Sequence, residues 1–124
     1  DSFQGKKIVK RGLSILVKRV QACLSDDLRK SKYRGNSNPL AGHCYVASEA
    51  LYHLLGGKDS GWKPMVMRIG GETHWFLLSR SGDLLDATAS QFKELPAYSQ
   101  ATGCGFLTKK PSKRAQKLIS KVIG

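Results

Sequence analysis

The sequence predicts a single α+β domain over residues 1–124, with a central helix on a small antiparallel sheet and helices at the two ends flanking it. Residues 44–55 carry an apolar stripe at helical spacing and run into Gly56-Gly57. Residues 64–69 and 72–79 are strand-like runs joined by Gly70-Gly71, a two-residue hairpin signal. Residues 6–30 and 112–124 are amphipathic, with cationic outer sides. The chain is long enough for one hydrophobic core and too short for two.

Taken in order, residues 1–5 read as a lead-in to the first helix. Over 6–30, Leu13, Leu16, Val17, Val20 and Leu24 recur at i, i+3, i+4, i+7 and i+11, with Lys6, Lys7, Lys10, Arg11, Lys18 and Arg19 around them. Gly12 weakens this helix and is a place where it could break. Ser25-Asp26-Asp27 ends the helix or caps a short second one, and Cys23 packs on or beside the apolar face. Residues 31–42 are a loop rich in Lys, Gly, Asn and Pro.

The central helix opens on Cys44. At 100° per residue, Ala47, Ala50, Leu51, Leu54 and Leu55 share one face with the thiol, while Glu49 and His53 fall on the far side, away from the core, where His53 is expected to be exposed. Unpaired N–H groups and the positive dipole end at the first turn favour a thiolate there. Gly56-Gly57 then closes the helix. After a loop over 58–63 come the two strands of the hairpin. Arg80-Ser81-Gly82 fits a three-residue loop, with glycine at the position needing positive φ, before a third strand over 84–88. Residues 90–105 are irregular. In the last helix Ala115, Leu118, Ile119, Val122 and Ile123 form the buried stripe, and Lys113, Arg114, Lys117 and Lys121 cover its outer face.

The loop length sets the chemistry. With a three-residue loop, Ser79 faces Asp83, Phe76 faces Asp86 and His74 faces Thr88. His74 and Asp86 then point to one face as diagonal neighbours, about 7–8 Å apart at the backbone. A two-residue loop would place Asp86 on the opposite face. A histidine beside a carboxylate, facing a cysteine at a helix start, is a nucleophile–base–orienter set. Cys44 would attack, His74 would take and return the proton, and Asp86 would hold the ring. The Cys44 N–H, with Asn38 or Asn36 in the preceding loop, would supply oxyanion donors, and Asn38 is the preferred choice. His43 points away from the thiol and is a loop or substrate-cleft residue, and Trp62 is a candidate to line the cleft, with anchoring its loop the favoured role. Trp75 alternates away from His74 toward the core, and Gln91 and Phe92 close the exit of the third strand against the site. Cys44, His74, Asp86 and Cys104 are zinc-type ligands, but no CxxC or HxxxH spacing accompanies them. No metal and no cofactor are therefore expected.

The order of a cysteine opening a helix, a histidine on one strand and an aspartate on the next resembles the papain-like and transglutaminase-like superfamily of cysteine hydrolases. His74-Trp75-Phe76-Leu77 and Leu84-Leu85-Asp86-Ala87-Thr88-Ala89-Ser90-Gln91-Phe92 are similar to the "HxW…G…LDxTxxQF" pattern of its small bacterial and bacteriophage members. The stretch from Gly103 to Gln116 resembles a tail that recurs in bacteriophage proteins. The resemblance spans roughly Asn36 to Ala115. It implies a thiol-dependent acyl-transfer enzyme: amide or isopeptide hydrolysis, deamidation or transamidation through Cys44, His74 and Asp86. Papain itself has a glutamine before the cysteine and usually an asparagine as third member. Here asparagines precede the thiol, and the third member is an aspartate, as in the transglutaminase-like branch.

Lys and Arg number 21 against 9 Asp and Glu, a net charge of +12, which suggests an anionic partner such as an acidic protein or nucleic acid. Lys113, Arg114 and Lys117 form the most compact candidate contact. Zinc-finger, homeodomain and RNP-like signatures are lacking, so base-specific reading is not expected. No apolar run is long enough to span a bilayer and no signal peptide is visible, so no membrane partner is expected. Three widely spaced cysteines fit a reducing compartment, the cytoplasm of a bacterium or of a phage's host. The rival to the enzyme is a basic protein that binds nucleic acid or an acidic partner and keeps a non-catalytic remnant of the triad.

Overall fold

The computed structural model describes residues 2–29, 35, 42–92, 94, 96–106 and 109–124, without the side chains of 2–12 and 90. Helix α2 (Cys44–Leu54) lies at its centre, with Val46, Ala47, Ala50 and Leu51 buried. It touches α1 (Ser2–Cys23), α3 (Lys113–Ile123) and the first two strands. Leu55 keeps helical dihedrals, and Gly56 stops the helix at φ 116°, a left-handed conformation that side chains disfavour.

The sheet has four antiparallel strands in the order β3-β2-β1-β4. Strands β1 (Trp62–Ile69) and β2 (Glu72–Ser79) pair along their whole length, with Met67 opposite His74. Strand β3 (Leu84–Leu85) sets Leu77 against Leu85 and Leu78 against Leu84, while Ser79 N–H donates to Asp83 O. That is the register of the three-residue loop, and Gly82 has the positive φ it requires, 89°. Strand β4 (Thr102–Gly103) pairs with β1 on the other edge and replaces part of the expected irregular stretch. The third strand is shorter than expected. After Leu85 the chain leaves the ladder and enters a 3-10 turn at Ala89–Gln91.

Strand alternation divides the core in two. Leu77 and Leu85 face the helices, joining Val20, Leu28, Ala47, Leu51, Leu118 and Val122. Met65, Met67 and Phe76 face the other way and are covered by Ile69, Leu78, Tyr98 and Ala101. Trp75 points to the helical side, edge-on to Tyr45 at 4.9 Å and stacked with Phe106 at 5.4 Å.

Four expectations change. Helix α1 starts at Ser2 and runs through Gly12 without a break. The packing of Leu13, Leu16, Val17 and Val20 outweighs a glycine penalty of about 1 kcal/mol. Ile123 is 71% exposed, because the stripe of α3 narrows to Ala115, Leu118 and Val122 against α1 and α2. His53 is half-buried rather than exposed, its ring set edge-on to Tyr52. Glu49, assigned to the solvent side of α2, is 0% exposed. The start of α3 docks on that side. Ser112 N–H donates to Glu49 Oε2 and Ser112 Oγ–H to Oε1, each at 2.7 Å, while Ser112 Oγ caps α3 by accepting from Ala115 N–H.

Candidate active site

Cys44 is the first residue of α2, half-buried, with its thiol directed at the carbonyl oxygen of Thr73 at 3.6 Å. Within the helix the first bond runs from Ala47 N–H to His43 O. The N–H groups of the first turn therefore have no intrahelical acceptors. The next residue on β2 is His74. Its Nε2–H donates to Asp86 Oδ2 at 2.6 Å, and the two side chains are 2% and 5% exposed. Asp86 leaves the ladder one residue after β3, yet stays on the face that alternation assigns to it.

The carboxylate is held at three points. Besides His74, Oδ2 accepts from Tyr98 Oη–H at 2.9 Å, and Oδ1 accepts from Thr88 N–H at 3.2 Å. An ionised carboxylate can only accept, so the neutral imidazole carries its proton on Nε2 and presents a lone pair at Nδ1. Nδ1 is buried and, among the described residues, has no hydrogen-bond partner. Phe92 meets the ring edge-on at 4.9 Å, and Phe76 lies 6.3 Å from it at an interplanar angle of 24°. Burial by itself would push the imidazole down. The hydrogen bond and charge of Asp86, with the neighbouring Cys44 thiol, outweigh burial and raise it from 6.5 to about 9.

A raised folded-state value stabilises the fold fully below about 6.5, and that stabilisation is lost as pH rises through about 9. Urea unfolding should show the wild type losing about 2 kcal/mol across this window relative to His74→Gln. Parallel pH profiles for the two proteins would rule the buried imidazolium out.

A cleft of about 110 Å³ opens beside the thiol. Cys44, His74, Ile69, Glu72, Gln91 and Phe92 are among the residues lining it, so the pair closing the exit of β3 does form one wall. It admits a narrow chain rather than a bulky ligand. Two expected cleft residues lie elsewhere. His43 is 1% exposed and its Nε2–H donates to Ser25 O at 2.8 Å, which ties the start of α2 to the turn after α1. Trp62 begins β1 opposite Ser79, five residues and about 17 Å along the strand from the partner of His74. It packs at the margin of the main core. Asn38 and Asn36, the expected oxyanion residues, fall outside the described residues.

The basic residues are partly committed to the fold. Arg114 donates to Leu28 O at 2.9 Å, and Lys117 pairs with Asp27, holding that carboxyl well below its usual range. Lys121 reaches Ser25 Oγ and Arg19 reaches Val122 O, so these cations fasten α3 to α1 and the turn after it. Lys113, the third candidate for an anionic partner, is exposed. Among the described residues no group of three or more His, Cys, Asp or Glu could hold a metal ion, and no helix is long and apolar enough to cross a membrane.

Sequence reasoning missed Tyr98 and the burial of Glu49. Tyr98 sits in a 3-10 turn (Tyr98–Gln100) whose approach to Asp86 no spacing in the chain announces. No protein-family model, curated protein or solved structure matches the chain.

Proposed function

We propose that this protein is a thiol-dependent acyl-transfer enzyme in which Cys44, His74 and Asp86 form the catalytic set. The observation that carries the reading is the buried His74–Asp86 bond, which leaves Nδ1 as the ring nitrogen for a thiol at the start of α2. Cys44, deprotonated by His74, attacks the carbonyl carbon of an amide. The negative oxygen that forms is stabilised by N–H groups of the first turn of α2. As the C–N bond breaks, the imidazolium gives its proton to the departing nitrogen, leaving a thioester on Cys44. Water then releases an acid, or an amine releases a new amide, with His74 accepting the nucleophile's proton. The order of these residues, and the resemblance to papain-like and transglutaminase-like hydrolases, support the same chemistry. A narrow cleft favours a slender acyl chain such as an amide-bearing side chain or a peptide terminus. Free thiols at Cys23, Cys44 and Cys104 fit a reducing compartment such as the cytoplasm.

Iodoacetamide labelling followed by mass spectrometry tests the nucleophile. Cys44 should react at least about tenfold faster than Cys104 at neutral pH although Cys104 is the more exposed. His74→Ala should remove the difference. Peptide, isopeptide and cell-wall amides should in addition leave a thioester adduct on Cys44. Labelling that simply follows exposure, together with no adduct from any of these amides, would defeat the proposal and favour a basic binding protein.

A further inference from the structure

The helices cover one face of the sheet, and the segment 96–101 covers part of the other. Its tyrosine is the only described donor from that segment to reach Asp86. We propose that Tyr98 is a positioning residue of the site: its phenol shares Asp86 Oδ2 with His74 Nε2, holds the carboxylate in plane with the imidazole, and moderates how strongly the carboxylate binds the imidazolium. The catalytic consequence rests on the acyl-transfer reading, whereas the effect on His74 stands without it.

The geometry makes the role specific. Thr88 N–H holds Oδ1 but lies at 3.2 Å, the longest of the three bonds, and by itself leaves Oδ2 room to swing. Tyr98 at 2.9 Å removes that freedom from the oxygen that matters to His74. The phenol's own position is set by one ring contact and two backbone hydrogen bonds. Its ring meets Phe76 at 4.9 Å with an interplanar angle of 68°, and Phe76 in turn lies 6.3 Å from the His74 ring, inclined to it by 24°. One phenylalanine therefore spaces both partners of the carboxylate. Tyr98 N–H donates to Pro96 O, and Ala101 N–H donates to Tyr98 O just before Thr102 pairs with Val66. The edge strand β4 thus anchors the turn that carries the phenol.

The phenol remains protonated and so remains a donor. Burial, with the adjacent Asp86 charge and hydrogen bond, pushes its ionisation far above the usual tyrosine range. A second donor on one carboxylate oxygen draws off part of the charge that would otherwise go to the imidazolium. Taking the phenol away should then strengthen the His74–Asp86 bond and raise the pH at which His74 loses its proton. The titratable groups facing His74 are Asp86 and Cys44, with Glu72 lining the same cleft. None of these is altered by changing Tyr98.

Tyr98→Phe keeps the ring against Phe76 and removes only the hydroxyl. NMR titration of the His74 ring, in an otherwise unchanged protein and again in a Cys44→Ala background, reads the effect without any substrate. The midpoint should rise by about half a pH unit or more, a threefold or larger change in proton affinity. With an amide substrate, kcat should fall about tenfold with KM little changed, because ring orientation and not substrate binding is disturbed. If the phenylalanine variant unfolds, 3-fluorotyrosine at position 98 gives the reverse test. A more acidic phenol donates more strongly and should lower the His74 midpoint. An unchanged midpoint in either protein, or a shift of opposite sign, overturns the inference whatever happens to activity. A shift of the expected sign in a protein that transfers no acyl group upholds the positioning role and removes the acyl-transfer reading instead.

Discussion

Asp86→Asn should lower the rate of acyl transfer by about a thousandfold, a loss of roughly 4 kcal/mol of transition-state stabilisation. The reason is the number of donors aimed at this side chain. His74 Nε2–H and Tyr98 Oη–H converge on Oδ2, and Thr88 N–H points at Oδ1. A carboxylate accepts all three. An amide has one accepting oxygen and one donating nitrogen, so either rotamer sets an NH₂ group against a donor. With the nitrogen on the His74 side, the imidazole must shift its proton from Nε2 to Nδ1, which removes the lone pair meant for Cys44. With the nitrogen on the Thr88 side, the backbone donor is repelled and the turn into Ala89–Gln91 is displaced. In both cases the negative charge that raises His74 to about 9 is gone, and its titration should fall. The measurement is single-turnover thioester formation on Cys44, taken on protein shown to be folded by its amide spectrum. A variant within threefold of the wild type would mean that Asp86 orients nothing of consequence. Unfolding of Asp86→Asn, with Cys44→Ala and His74→Ala both silent in turnover, would make the aspartate purely structural.

Glu49→Ala should destabilise the fold by about 3 kcal/mol, a large share of the 5–15 kcal/mol typical of such domains. Both carboxyl oxygens are used: Ser112 N–H and Ser112 Oγ–H each donate at 2.7 Å, and the side chain has no contact with water. Truncation leaves a half-buried backbone donor and a hydroxyl without their acceptor and opens a cavity between α2 and α3. Glu49→Gln should cost less, about 1–2 kcal/mol, because one oxygen still accepts while its NH₂ opposes a donor. Urea denaturation gives both values. Since Glu49 lies on the side of α2 away from the thiol stripe, Cys44 labelling in the folded fraction should not change. A loss below about 0.5 kcal/mol for the alanine variant would show that α3 docks without this clamp.

Much of the arrangement around His74 follows from short-range chemistry and could be read from the chain. A hairpin's register is decided by its turn, and a turn is decided by which residues tolerate positive φ. Gly70-Gly71 set β1 against β2, and Gly82 made the second loop three residues long; alternation then placed His74 and Asp86 on one face. The thiol at the head of α2 was equally local, because the stripe of Ala47, Ala50 and Leu51 and the stop at Gly56 depend only on helical spacing and glycine conformation. The rest depended on which element came to lie against which. Glu49 reads as solvent-facing until α3 arrives over it, and Ile123 reads as core until α3 turns it outward. His43 reads as a cleft residue until the turn after α1 offers it a carbonyl. Arg114 and Lys117 look like a free basic patch, yet Leu28 O and Asp27 claim them. Tyr98 joins the site across twelve residues and a strand edge, with no periodicity to signal it. Local dihedral preferences are properties of a few neighbouring residues, so they are written in the sequence. The partner of a side chain is decided by docking between distant segments, and only the tertiary structure determines it.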